Sequence, residues 1–251
     1  MSKIVSIHSY RGGTGKSNTT ANLATTVASE GLRVGIVDTD IQSPGIHVLF
    51  GLDESKINRS LNDYLWGNCA IEDTAINITP AVVAAKGGTV FLIPSSIKAG
   101  EIARILREGY DVGLLNDGFQ DLLERLKLDY LFIDTHPGLN EETLLSIAIS
   151  DVVVLILRPD KQDFQGTAVT VEVARKLNVA RMLLVVNKAW PKLDFAALKS
   201  QVENTYNAPV AAIFPLTEEM VQLGSAGVFS LEYPHHPNTQ MFKDLAKQVM
   251  A

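Results

Sequence analysis

Cysteine is nearly absent from this chain. Cys69 stands alone in 251 residues, which excludes an internal disulfide and fits a reducing, cytoplasmic setting. One thiol per chain also excludes a four-thiolate cluster, because even a symmetric pair of copies supplies half the ligands. Long apolar runs are missing too. The longest, Val152–Leu157, falls far short of the roughly 18 residues that cross a bilayer. The apolar stretch from Ile4 to Ile7 is too short for a secretion signal. Net positive charge is lacking as well: at −6 the chain is not basic throughout, so nucleic-acid binding would need a local patch. No repeat, low-complexity tract or Pro/Gly/Ser-rich linker divides the sequence. Residues 1–251 therefore read as one domain, long enough to bury a full sheet between two helical layers.

What is present is an alternation. Short aliphatic runs at Ile4–His8, Val34–Val37, Val90–Ile93, Tyr130–Ile133, Val152–Leu157, Met182–Val186 and Val210–Phe214 predict strands. Their near-continuous apolar character predicts a sheet covered on both faces. Helical patterns fall at Lys16–Glu30, Glu101–Glu108, Gly118–Leu126, Glu141–Ser150, Gly166–Lys176, Asp194–Tyr206, Glu218–Leu223 and Asn238–Met250. The expected fold is α/β, a doubly wound and mostly parallel sheet with helices on both faces. Its ligand crevice should lie at the carboxyl ends of the strands.

The first strand–helix junction carries the chemistry: Arg11-Gly12-Gly13-Thr14-Gly15-Lys16-Ser17-Asn18. Glycines leave backbone N–H groups free to meet an anion, the helix start adds positive potential, and Lys16 can reach terminal phosphates. Ser17 offers the hydroxyl that ligates Mg²⁺ in such loops. The first glycine of the usual G-x-x-x-x-G-K-[ST] pattern is replaced by Tyr10, and a basic residue leads the loop instead. Gly12 to Asn18 are thus the nucleotide-binding candidates, with ATP and Mg²⁺ as the expected ligands. Two other strand ends supply acids. Val34–Val37 runs into Asp38-Thr39-Asp40, whose carboxylates would share one side of an extended chain. Tyr130–Ile133 runs into Asp134, the pattern of a carboxylate holding Mg²⁺ through water. His136, in the following Pro137-Gly138 turn, reads as structural and is left out of the catalytic set.

The basic residue followed by Gly-Gly-x-Gly-Lys-Ser resembles the deviant Walker A loop of the ParA/MinD family of P-loop ATPases. Family members carry a lysine where this chain has Arg11, and that lysine touches nucleotide held by a partner subunit. The resemblance implies a homodimer sandwiching two ATP molecules, with Lys16 acting in its own subunit and Arg11 across the interface. Arginine presents a planar fork that can bridge phosphate oxygens, so Arg11 would act as a finger in trans. Arg158 and Lys161 are the alternatives for that contact. The resemblance places Asp40 beside the attacking water and metal, makes Asp134 the Walker B acid, and sets Asn187 and Pro215 beside the adenine. Guanine-specific loops read Asn-Lys-x-Asp; here Asn187-Lys188-Ala189 ends in Trp190, which favours ATP over GTP.

Asn62–Gly67, Ile93–Gly100 and Asp134–Leu139 look like a cyanobacterial-type branch of this family that spaces carboxysomes over the nucleoid. That likeness implies an adaptor or cargo protein that stimulates hydrolysis, and an ATP state bound to non-specific nucleoid DNA. The candidate DNA surface is basic: Arg181, Lys188, Lys192 and Lys199 lie in a run whose sole acid is Asp194, and Lys243 and Lys247 join from the last helix. MinD relatives enter membranes through a terminal amphipathic helix. In this chain the last helix spaces Met241, Phe242, Leu245 and Val249 as core positions, so no membrane insertion is expected. The alternative expectation is a nucleotide-gated protein-binding switch with little DNA binding.

Overall fold

The computed structural model describes residues 2–251. Among them, eight strands form one sheet: β1 (Lys3–His8), β2 (Arg33–Asp38), β3 (Ile76–Asn77), β4 (Thr89–Ile93), β5 (Tyr130–Asp134), β6 (Val152–Leu157), β7 (Met182–Ala189) and β8 (Val210–Pro215). Their spatial order is β3-β4-β2-β5-β1-β6-β7-β8. Every neighbouring pair is parallel except β3–β4. The long helices are α1 (Lys16–Ala28), α5 (Ala99–Glu108), α6 (Gly113–Arg125), α7 (Glu141–Ala148), α8 (Lys161–Lys176), α9 (Phe195–Tyr206) and α12 (Pro237–Met250). Shorter ones are α2 (Ile46–Leu49), α3 (Leu61–Leu65), α4 (Ala81–Ala84), α10 (Glu218–Leu223) and α11 (Phe229–Glu232).

The doubly wound architecture is as the alternation predicts. Strand side chains alternate between two buried layers. Val5 and Ile7 of β1 face a core shared with Leu23 and Val27 of α1 and Phe242 and Leu245 of α12. On the other side, Ile133 and Leu131 meet Phe119 and Leu122 of α6, while Leu155 and Val186 meet Val171 of α8 and Val202 of α9. Burial on both faces explains why the strands read as unbroken apolar runs.

The seven expected strands are present; β3 carries only two residues and leaves no readable pattern. Two helices begin earlier than periodicity suggests. The helix expected from Gly166 starts at Lys161, because the Asp160 side chain accepts N–H bonds from Gln162 and Asp163 and caps the turn. The helix expected from Gly118 starts at Gly113. β1 sits between β5 and β6, and the chain builds outward from it in both directions. Its carboxyl end is therefore the switch point of the sheet, where such folds open a crevice.

Gly88, just before β4, lies against the last turn of α1. A Cβ there would overlap the backbone oxygen of Ala28, which cannot step aside. Gly88→Ala should therefore cost roughly 1–3 kcal/mol of stability, read as a lower urea midpoint. An unchanged midpoint would show that α1 and β4 do not approach this closely.

Candidate nucleotide site

The loop between β1 and α1 is laced from within and braced from β7. Thr14 Oγ1 donates to Ser9 Oγ at 2.9 Å, and Ser9 Oγ donates to the Arg11 carbonyl at 2.7 Å. Across the sheet, Asn187 Nδ2 donates to the Thr14 carbonyl at 2.8 Å, and Lys188 Nζ donates to the Gly13 carbonyl at 2.8 Å. Gly15 sits at φ 98, and any side chain there would collide with the Asn187 amide. Glycine is required on both counts. α1 then starts with no side-chain cap, so its first N–H groups remain available to an anion.

Three carboxylates gather around one ammonium behind this loop. Asp38 and Asp134 are direct register partners at the ends of β2 and β5, and both are fully buried. Burial and then the Asp134 charge push Asp38 well above the ordinary carboxylate range. Burial pushes Asp134 up to about 6, opposed by the Ser17 hydroxyl, Lys16 and the Thr20 hydroxyl; Thr20 Oγ1 donates to it at 3.0 Å. Lys16, at the start of α1, is buried and its ammonium is lowered by that burial, with Asp134, Asp40 and Asp38 pulling it back up.

Asp40 is placed differently from Asp38. The strand ends at Asp38, and the Asp40 N–H donates back to Asp38 Oδ1 at 3.1 Å, so the alternation that would align the two carboxylates stops there. Asp40 instead reaches the turn after β5, where His136 Nδ1 stands 2.6 Å from its Oδ1. This contact joins residues 96 positions apart, and sequence reasoning missed it. A second histidine closes the back of the site. His8 Nδ1 pairs with Thr135 Oγ1 at 2.7 Å, and because that hydroxyl already donates to the Ile7 carbonyl, the ring must be the donor. Burial, then Lys16 and His136, lower the His8 imidazole to about 3.

Beside the loop lies a cavity of about 240 Å³ lined by Asn18, Asn22, Lys188, Leu216, Met220 and Phe229, among others. Its position next to Gly15 and its mixed amide and apolar lining suit a nucleobase. Asn187, expected at the adenine, reaches this cavity, but its Nδ2 donates to the Thr14 carbonyl and its Oδ1 accepts from the Lys188 N–H at 2.9 Å. Pro215 lies outside the lining; its carbonyl accepts from Asn238 Nδ2 at 3.3 Å, and Leu216 takes the wall.

Arg11 is half-buried at the loop's outer edge, where it donates to Gln162 and lies 3.6 Å from Asp163. Arg158 is tied down within its own chain by a two-pronged bond to Asp163 at 3.0 and 3.1 Å; Arg11 shares that carboxylate more loosely, and Lys161 is exposed. The six basic residues read as a DNA surface do not converge. Lys188 is engaged at the phosphate loop, and Arg181 immediately precedes β7 at the amino edge of the sheet. Lys199 on α9 and Lys243 and Lys247 on α12 project from helices that cover opposite faces. Lys199 lies 3.9 Å from Glu203, Lys247 lies 3.1 Å from Asp244, and Lys192 stands alone in the loop after β7.

Among the described residues no group of three His, Cys, Asp or Glu side chains forms a metal cage. A divalent ion accompanied by phosphates needs no such cage. Ser17 would ligate it directly, with Asp134 and Asp40 acting through water, and the excess of carboxylate over ammonium here fits a cation. The ParA family model, described as NUBPL iron-transfer P-loop NTPase, matches residues 1–250. The chain belongs to the ParA family of P-loop NTPases. It is 25% identical to an uncharacterised ATP-binding protein of Methanocaldococcus jannaschii, over 100% of this chain and 88% of that one. It is 30% identical to an iron–sulfur cluster carrier protein of Clostridium perfringens, over 74% of this chain and 63% of the other. In structure it is similar to septum site-determining protein MinD of Pyrococcus horikoshii complexed with Mg-ADP, with TM-score 0.81, 22% identity, and 99% and 96% of the two chains covered. These likenesses reach the ParA family and its nucleotide-binding fold, and stop short of the carboxysome branch. The fold is that of MinD and ParA proteins. No helix among the described residues is long and apolar enough to cross a membrane.

His8 gives this ParA-family site a pH signature. Its folded pKa of about 3 lies below the unfolded value of 6.5, so the unfolded state takes up the proton first and stability falls as pH drops through 6.5 toward 3. The slope from one such group is at most about 1.4 kcal/mol per pH unit. His8→Asn, which keeps a donor for Thr135 without titrating, should flatten the pH dependence of the urea midpoint between pH 6.5 and 4. An equally steep dependence in the variant would mean that His8 is not held neutral.

Proposed function

We propose that this protein is an ATP-hydrolysing switch that pairs with a second copy around bound nucleotide and parts after hydrolysis. The observation that carries the reading is the placement of Asp40. It stands outside the buried Asp38–Asp134 pair, its side chain is 17% exposed, and it lies close enough to Lys16 to act on that ammonium. A carboxylate so placed can accept a proton-side hydrogen bond from water and orient it toward a terminal phosphate. Lys16 and the free N–H groups of Gly12 to Ser17 hold the phosphates. Ser17, with Asp134 and Asp40 through water, would hold the Mg²⁺ that accompanies the nucleotide, which would supply neutralisation of developing phosphate charge. Arg11, half-buried at the loop's edge, is the residue assigned to the partner's nucleotide, with Lys161 as its alternative.

A cluster-carrier role, suggested by the family model's description and by relatives' names, is disfavoured by chemistry. Cys69 lies between α3 and the turn before β3, and burial raises its thiol, the opposite of a ready thiolate ligand. For the surface bound in the ATP state the reading is non-specific DNA, because a pair of chains doubles the number of exposed lysines, such as Lys192 and Lys243, available to a duplex. An adaptor that stimulates hydrolysis would then reset the switch and connect it to cargo.

Phosphate release tests the assignment. Lys16→Ala should lose ATP binding, whereas Asp40→Ala should keep binding and lose turnover by about 100-fold or more; normal turnover in Asp40→Ala would remove its assigned role. Fluorescence anisotropy with a duplex of mixed sequence should show binding with ATP, little with ADP, and a steep loss with salt. Absence of binding in every nucleotide state would leave a switch read by protein partners alone.

A further inference from the structure

We propose that His136 is the residue that positions the water-orienting carboxylate, making a His136–Asp40 pair the device that couples the two loops flanking the nucleotide. The inference rests on the assignment of Asp40 made above. A carboxylate only accepts, so His136 Nδ1 must carry the proton in their 2.6 Å contact. The same oxygen, Oδ1, also accepts the Ser43 N–H at 3.2 Å. With Oδ1 engaged twice, the rotamer of Asp40 is set and Oδ2 is the oxygen left to address a water.

His136 can hold this position because its own segment is anchored. Thr143 Oγ1, at the start of α7, donates to the His136 carbonyl at 3.4 Å. The Gly138 N–H donates to the Ser9 carbonyl at 3.4 Å, and Pro137 lies against Gly12, 3.8 Å from where a Cβ would stand. The loop after β5 is thus seated on the phosphate-binding loop at one end and clasps Asp40 at the other. Nucleotide contacts made by the loop after β5, which rests on the phosphate loop, would reach Asp40 through His136. Such a residue touches no substrate; it acts through Asp40 alone.

Loss of a group that orients another catalytic group typically costs 10- to 100-fold. His136→Leu should therefore lower kcat by about that factor while KM for ATP stays within about threefold. His136→Asn, whose amide nitrogen takes the place of Nδ1, should restore most of the rate. In ¹⁵N-labelled protein without nucleotide, the His136 Nδ1–H proton should be protected and shifted downfield, and should vanish in Asp40→Ala. A wild-type kcat in His136→Leu, with Asp40→Ala inactive, would overturn the positioning role and leave the hydrolase reading intact. Equal losses in His136→Leu and His136→Asn, or a change confined to KM, would overturn it too. Turnover surviving in Asp40→Ala would instead remove the assignment on which the inference rests.

Discussion

One ammonium set against three carboxylates is the constraint around which this structure is organised. Lys16 is drawn into the sheet's switch point by α1, while β2 and β5 deliver Asp38 and Asp134 side by side in register. Each of these groups moves toward its neutral form: the lysine down, both buried aspartates up. Desolvation is the largest cause of all three shifts, and the attraction between Lys16 and the aspartates opposes it at Lys16 and Asp134. A bound nucleotide with its divalent ion would redistribute exactly this local charge, which is why the loop's free N–H groups and the aspartates lie so near one another. The fold concentrates an electrostatic imbalance where a phosphate chain is expected.

The second layer of organisation comes from β7. Asn187 and Lys188 reach across to grip the carbonyls of Thr14 and Gly13, and Lys188 adopts φ 55 to do so. A backbone in that region is uncommon for a non-glycine residue and costs energy that surrounding contacts must offset. The phosphate loop therefore keeps its shape before any ligand arrives. That preorganisation shifts the work of closing the site onto the outer residues, Arg11 and the Asp40–His136 pair.

Much of this was legible in residue order, for physical reasons. Strands buried on both faces show themselves as apolar runs, and a glycine-rich turn between strand and helix announces an anion site. The α/β class, the loop and the acids at the ends of β2 and β5 all follow from local pattern. Contacts between distant segments do not. His136 meets Asp40 across 96 positions, and no periodicity encodes that meeting. Lys188 sits in the same basic run as Lys199, yet one grips the phosphate loop while the other lies on α9. Lys243 and Lys247 fall on the opposite layer because α12 returns after β8 to pack beside α1. The start of α8 at Lys161 is marked by Asp160, a residue type that favours helix caps, but the helix's apolar periodicity begins only later.

The claim that most needs testing is that the nucleotide governs pairing of two chains. Sedimentation mass of the purified protein with Mg-ATP and with Mg-ADP addresses it directly, using Asp40→Ala to prevent turnover. The account predicts twice the monomer mass of 27.3 kDa with ATP and the monomer mass with ADP. Monomers in both states, under conditions where ATP is demonstrably bound, would contradict it.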